Sequence, residues 1–199
     1  IRYLKNDITG VCWSPDGEKL IVTGWFRRII VYDKSGGVLW EAEVGDYAKS
    51  PSISLDGKFL AIGIGTIGVG VNKLCIFDLI SRKQIYERAI EGKYICWGRY
   101  KDFNFIAIGG STYLYLFEWN GIELIKKWSK IISKGDITSI DFSPNGDRIA
   151  IGSDEDYVYM VDLNGNILWQ LVLNGRIRDI CFSSDGKYIA TTTDVGSIY

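Results

Sequence analysis

Short blocks of apolar and polar positions recur along this chain. Each recurrence is an apolar strand, a polar turn built on Ser-x-Asp-Gly, and a second apolar strand that ends in small residues. The copies run Val11-Cys12-Trp13-Ser14-Pro15-Asp16-Gly17, Ile53-Ser54-Leu55-Asp56-Gly57, Ile140-Asp141-Phe142-Ser143-Pro144-Asn145-Gly146 and Ile180-Cys181-Phe182-Ser183-Ser184-Asp185-Gly186, with a degenerate copy at Ile95-Cys96-Trp97-Gly98. The Asp-Gly and Asn-Gly pairs predict hairpin turns, because Gly takes a positive φ at no steric cost. The second runs (Leu20-Ile21-Val22, Phe59 to Ile62, Phe105 to Ile108, Ile149-Ala150-Ile151) are continuously apolar rather than alternating. Such runs predict strands covered on both faces. Gly24, Gly63, Gly109 and Gly152 follow them, and Thr191 to Thr193 hold the same place in the last copy; small residues there suit close backbone approach.

The aligned hydrophobic position falls at 13, 53, 97, 142 and 182, so the copies are 40, 44, 45 and 40 residues apart. With four short strands per copy and no helical period, the chain is expected to be all-β. Units of this length predict the blades of a β-propeller. They fall at about 5–44, 45–90, 91–132, 133–174 and 175–199, the last being partial. Four complete four-stranded blades plus part of a fifth point to a fragment of a larger propeller, because open blade edges invite aggregation. The alternative is a closed five-bladed ring in which Ile1–Lys5 supply a strand that completes blade five.

The turns carry two family resemblances. Ser-Pro-Asp-Gly after the first strand, with Tyr32-Asp33, Phe77-Asp78 and Phe117-Glu118 ending third strands, resembles the WD-repeat pattern over essentially the whole chain. The pattern departs from that family in having no Gly-His dipeptide and no literal Trp-Asp pair, so the family's His-containing hydrogen-bonded tetrad has no counterpart here. Asp33-Lys34-Ser35-Gly36 to Trp40, and Asp162-Leu163-Asn164-Gly165 to Trp169, are similar to quinoprotein-type repeats; in blades two and three Ile85 and Ile125 stand near the Trp position. That likeness implies a Trp docked on the adjacent blade. It carries no quinone chemistry, since that family's adjacent cysteine pair is missing.

Composition narrows the function classes. Basic and acidic residues nearly balance, 23 against 24, so neither nucleic acid nor an anionic membrane is the expected partner, both of which select an excess of Lys and Arg. No stretch has the length of apolar sequence a membrane helix needs. The chain has no histidine, which excludes a Ser-His-Asp or Cys-His nucleophile and imidazole metal sites within these residues. No catalytic residue, cofactor or metal is expected. Cys12, Cys96 and Cys181 share one register on the first strands of blades one, three and five, and Cys75 stands alone on a third strand. Strands of non-adjacent blades lie too far apart for disulfides. Small residues in tight slots between sheets are the expectation, in a reducing, cytoplasmic setting; a cell-surface location is the alternative.

Where the copies agree they specify the fold, and where they differ they are free to carry function. The loop between second and third strands varies most. Blade one has Trp25-Phe26-Arg27-Arg28 and blade four Asp154-Glu155-Asp156-Tyr157. Two aromatics and two arginines on one loop have the composition of an interface hot spot. The alternative is that Trp25 and Phe26 fold onto a neighbouring blade while the arginines stay solvated. Asp154, Glu155 and Asp156 offer carboxylate oxygens of the kind calcium takes, but without the ligand periodicity of a calcium loop they read as a solvated acidic turn. Gly65 to Asn72 predict a longer apolar-tipped hairpin in blade two. Lys126-Lys127-Trp128-Ser129-Lys130 read as a solvated outer strand with one docked Trp rather than an RNA contact. The expected function is a non-enzymatic scaffold that presents loops on a propeller rim to protein partners, within a larger complex. A small-molecule or cofactor-binding propeller enzyme or sensor, and a cell-surface structural domain, are the alternatives.

Overall fold

A computed structural model describes residues 7–65, 73–90, 92 and 94–199. The closing strand expected from Ile1–Lys5, and nearly all of the blade-two hairpin at Gly65 to Asn72, lie outside the described residues. Two compact units make up the chain, Ile1–Ile95 and Cys96–Tyr199.

The first unit holds two four-stranded antiparallel meanders. Blade one is β1 (Ile8–Trp13), β2 (Lys19–Gly24), β3 (Arg28–Asp33) and β4 (Val38–Glu43); blade two is β5 (Ala48–Ile53), β6 (Phe59–Ile64), β7 (Lys73–Asp78) and β8 (Lys83–Ala89). Strands pair in sequence order, as expected when each connection is a short hairpin. The next blade, β9 (Tyr94–Tyr100), β10 (Phe103–Gly109), β11 (Tyr113–Trp119) and β12 (Leu124–Ile131), begins at the unit boundary. The second unit continues with β13 (Ile137–Phe142), β14 (Arg148–Ser153), β15 (Tyr157–Asp162) and β16 (Ile167–Val172), then β17 (Ile177–Phe182) and β18 (Ile189–Thr193). Backbone bonds exchanged between Thr191 and Tyr199, 3.0 and 3.1 Å, form an isolated bridge beside β18. The described residues contain no helix.

The core occupies the second and third strands. Ile21, Ile29, Leu60, Ile62, Leu74, Ile76, Ile106, Ile108, Leu114 and Ile149 are fully buried, each side chain contributing about 1.5–3 kcal/mol of transfer free energy. The sheet faces alternate as a pleat requires. Ile21, Ile29 and Val31 turn toward blade two, where they meet Leu60, Ile62, Cys75 and Phe77, while Val22, Ile30 and Tyr32 form a separate cluster. In the second unit, Ala150, Val158 and Met160 of blade four pack against Ile177 and Ile180 of blade five.

Close approach between blades is visible at Gly152, which ends β14. A Cβ there would sit 2.4 Å from Ile177 Cγ2 and 2.9 Å from Ile177 Cβ, so only a hydrogen leaves room for the first strand of the next blade. First-strand positions are sealed in this way: Ile140 and Ile180 are buried. Their register equivalent in β1, Val11, is 59% exposed.

The recurrent turn closes on itself through side chains. Ser14 Oγ donates to Asp16 Oδ1 at 2.5 Å and accepts the Lys19 N–H at 2.9 Å, while the Glu18 N–H donates to Asp16 at 3.0 Å. Ser54 with Asp56 and Ser183 with Asp185 repeat the arrangement. In blade four, where Asn145 takes the Asp position, the Ser143 hydroxyl donates instead to Asp147 at 3.1 Å. Gly17 takes φ 70° and Gly57, Gly146 and Gly186 take 70–74°, the conformation for which the motif selects glycine.

Candidate functional site

The loop joining β2 to β3 is anchored by its backbone. The Trp25 N–H donates to the Asp7 carbonyl at 3.0 Å, and the Arg27 carbonyl accepts from the Val44 N–H at 3.0 Å. The same pair of bonds recurs in blade four, from Asp154 N–H to the Asp136 carbonyl (3.0 Å) and from Leu173 N–H to the Asp156 carbonyl (2.8 Å). One turn geometry is therefore reused with different side chains.

In blade one the four side chains separate. Phe26 folds back over Gly24, its Cε1 2.3 Å from where a Cβ of residue 24 would lie, and packs beside Val22, Ile30 and Tyr32 of its own blade. Arg28 is engaged on β4, its guanidinium 3.4 Å from Glu41 and 3.2 Å from Glu43. Trp25 and Arg27 go the other way. Trp25, 41% exposed, lies 5.9 Å centroid to centroid from Tyr47 at a 47° tilt, and Arg27 Cζ sits over the same ring at 5.4 Å. Tyr47 immediately precedes β5, so this cluster joins two adjacent blades. The aromatic pair packs in a tilted geometry, and the cation gains from the ring quadrupole. Of the two aromatics, Trp25 contacts the neighbouring blade, as the alternative reading had both do, whereas Phe26 stays within blade one. Sequence reasoning did not single out Tyr47. The available signal was an aromatic residue just after Gly45-Asp46, ahead of an otherwise small and polar strand start.

Among the described residues the acidic loop of blade four makes no comparable cluster. Asp154 and Glu155 lie across Gly135, where a Cβ would meet Asp154 Oδ1 at 2.3 Å and Glu155 Cγ at 2.6 Å. Asp156 is the turn residue itself, at φ 67°. No group of three or more Cys, Asp or Glu able to hold a metal ion occurs among the described residues.

The basic segment of β12 is spent inside the second unit. Lys127 pairs with Glu118 at 3.0 Å, Lys126 lies over the Tyr115 ring at 5.5 Å, and Trp128 Nε1–H donates to the Leu163 carbonyl of the next blade at 2.7 Å.

A polar seam links first strands. Asp141 Oδ2 accepts the Phe182 N–H at 2.7 Å and its Oδ1 lies 3.6 Å from Cys96 Sγ, so one carboxylate touches blades on both sides. Beside it the Ser139 hydroxyl donates to Asp179 at 2.8 Å. Burial holds the Asp141 carboxyl above the usual carboxylate range despite the Phe182 N–H. The cysteines are all free. Burial pushes the Cys12 and Cys75 thiols up to about 12, away from the thiolate form in which a cysteine reacts. Cys181 is exposed, which departs from the expected tight slot.

Comparison with known proteins follows this geometry. Residues 2–33 match the family model described as WD domain, G-beta repeat, and residues 140–199 match the anaphase-promoting complex subunit 4 WD40 domain. The fold is similar to the crystal structure of the Myceliophteria thermophila Cps50 (Swd1) beta-propeller domain, with a TM-score of 0.77 and 15% identity, covering 97% of this chain and 63% of that one. The fold is that of a β-propeller, and the partial matches support a WD-repeat superfamily. Two curated proteins are similar in sequence. The chain is 22% identical to THO complex subunit 3 of Arabidopsis thaliana, over 95% of this chain and 59% of that protein. It is 23% identical to Protein SOF1 of Saccharomyces cerevisiae, over 64% of this chain and 27% of that protein. The chain thus spans less than two thirds of each of these three proteins.

Proposed function

We propose that the protein is a non-enzymatic scaffold that binds protein partners through the loop of blade one and the adjoining start of blade two. The observation that carries this reading is the cluster of exposed Trp25 and Arg27 on half-buried Tyr47. Trp, Tyr and Arg together on a rigid support are the residues that dominate protein interfaces. Rigidity comes from the sheets, so presenting this surface costs little ordering entropy on binding. A relative whose name makes it a subunit of a complex, THO complex subunit 3, supports the same role. Four free cysteines suit work in a reducing compartment, as a cytoplasmic protein has.

The test is quantitative co-purification of tagged wild type, Trp25→Ala and Arg27→Glu. Circular dichroism should match across the three, while at least one partner retained by wild type should fall by about tenfold or more with both variants. Retention of every partner by both folded variants would defeat the assignment of this surface.

A further inference from the structure

Arg27 occupies a backbone position that ordinarily goes to glycine. Its φ is 56°, and the same turn position is held by Asp156 at 67° in blade four and by Gly196 at 81° in blade five. A long L side chain is strained there, so glycine would suit the turn better. Blade one nevertheless carries a cation at this position, and strained non-glycine residues concentrate at functional sites.

The two arginines of the loop differ in what they have left to bind. Arg28 is consumed by Glu41 and Glu43. Among the described residues the Arg27 side chain has the Tyr47 ring as its partner and no carboxylate. A ring contact leaves the guanidinium N–H donors unspent, and these form a planar fork matched to a carboxylate. Trp25 stands beside the same ring with two fifths of its surface open.

We propose that Arg27, backed by Tyr47, is the specificity residue of this surface and selects an acidic peptide segment. The partner's Asp or Glu carboxylate takes the guanidinium, and a neighbouring apolar side chain covers Trp25. The inference rests on the proposed role of this surface. A polyanion such as RNA is a poorer fit, because its affinity scales with the number of cations it neutralises and among the described residues this surface offers one unpaired guanidinium, Arg28 being held by Glu41 and Glu43.

The test uses fluorescence anisotropy on the whole protein, with a labelled peptide of alternating Glu and Leu as probe. Its Gln–Leu counterpart and a single-stranded oligouridine serve as comparisons. The Glu–Leu peptide should bind about tenfold more tightly than the Gln–Leu peptide, as loss of a charge-assisted fork demands. Arg27→Gly should weaken the Glu–Leu peptide by a similar factor while melting at the same or a higher temperature, since glycine relieves the turn. Arg27→Lys, which keeps charge and loses the fork, should recover only part of the affinity. Equal binding by Arg27→Gly, equal binding of the two peptides, no binding by wild type, or preference for oligouridine would each overturn the proposal. If the acidic preference fails while Trp25→Ala still loses partners, the surface stands and its chemistry is different.

Discussion

Asp141 offers the sharpest separation of electrostatic from hydrogen-bonding terms in this fold. Its carboxylate is half-buried on β13, takes the Phe182 N–H at 2.7 Å and faces Cys96 Sγ at 3.6 Å. Burial raises its pKa above the ordinary 3.8, and the nearby Asp179 acts in the same direction. The folded state therefore holds this proton more tightly than the unfolded chain does. Its contribution to stability is fully present below 3.8 and is lost as pH rises through the raised folded value. Asp141→Ala strands the Phe182 N–H, which costs about 1–3 kcal/mol and should lower Tm by roughly 2–10 °C in a chain of this size. Asp141→Asn keeps an acceptor for that N–H and removes the charge. At neutral pH it should melt at or above the wild-type temperature and well above the Ala variant. The assay is thermal unfolding of the three proteins across about pH 4 to 7, where the wild type should show a downward slope from this group that the Asn variant lacks. Equal destabilisation by Ala and Asn, with an unchanged pH slope, would refute the reasoning.

Gly152→Ala should destabilise by about 1–3 kcal/mol, because Ile177 must move to admit a methyl group; urea unfolding with no change in midpoint would contradict it. The turn carboxylates run opposite to Asp141. Hydrogen bonds from Ser14, Ser35 and Ser183 hold Asp16, Asp33 and Asp185 below their ordinary 3.8, so their stabilisation is present above that value and is lost as pH falls below it. Ser14→Ala should flatten the acid limb of a Tm-against-pH curve, and an unaltered limb would count against the turn geometry. Alkylation by iodoacetamide, followed by mass spectrometry, should modify exposed Cys181 first and buried Cys75 last; early labelling of Cys75 would show that the blade-two core is not sealed. Trp128→Phe removes the bond to the Leu163 carbonyl and should cost about 0.5–1.5 kcal/mol, read as a drop in Tm.

The sheets and turns were legible because each is encoded locally. Ser14, Asp16 and Gly17 bond within six residues, so the motif states its own geometry. Continuous runs such as Leu60 to Ile62 announce strands buried on both faces, and all three of those residues are fully buried. The candidate surface was only half legible. Trp25 and Arg27 stand out by composition, yet their organiser, Tyr47, lies twenty residues or more further along and is placed by the packing of blade two on blade one. Arg28 and Arg27 look alike in sequence. Cross-strand register sets Arg28 opposite Glu43, and nothing in the local pattern announces that pairing. Asp141 reads as an odd polar residue in an apolar strand, and its bonds to Cys96 and Phe182 are each some forty residues distant. Such contacts depend on how successive blades face one another, which a repeat period does not specify.

The central claim is that, within each unit, a blade's middle strands are sealed by the adjacent blade and that this seal recurs with the repeat. Native-state amide hydrogen exchange measures it directly, since protection tracks buried, doubly paired backbone. The slowest amides should cluster around Ile21, Leu60, Ile106 and Ile149, in the second strands, with the fourth strands exchanging much faster. Protection confined to one contiguous stretch, or fourth strands as slow as second strands, would contradict the account.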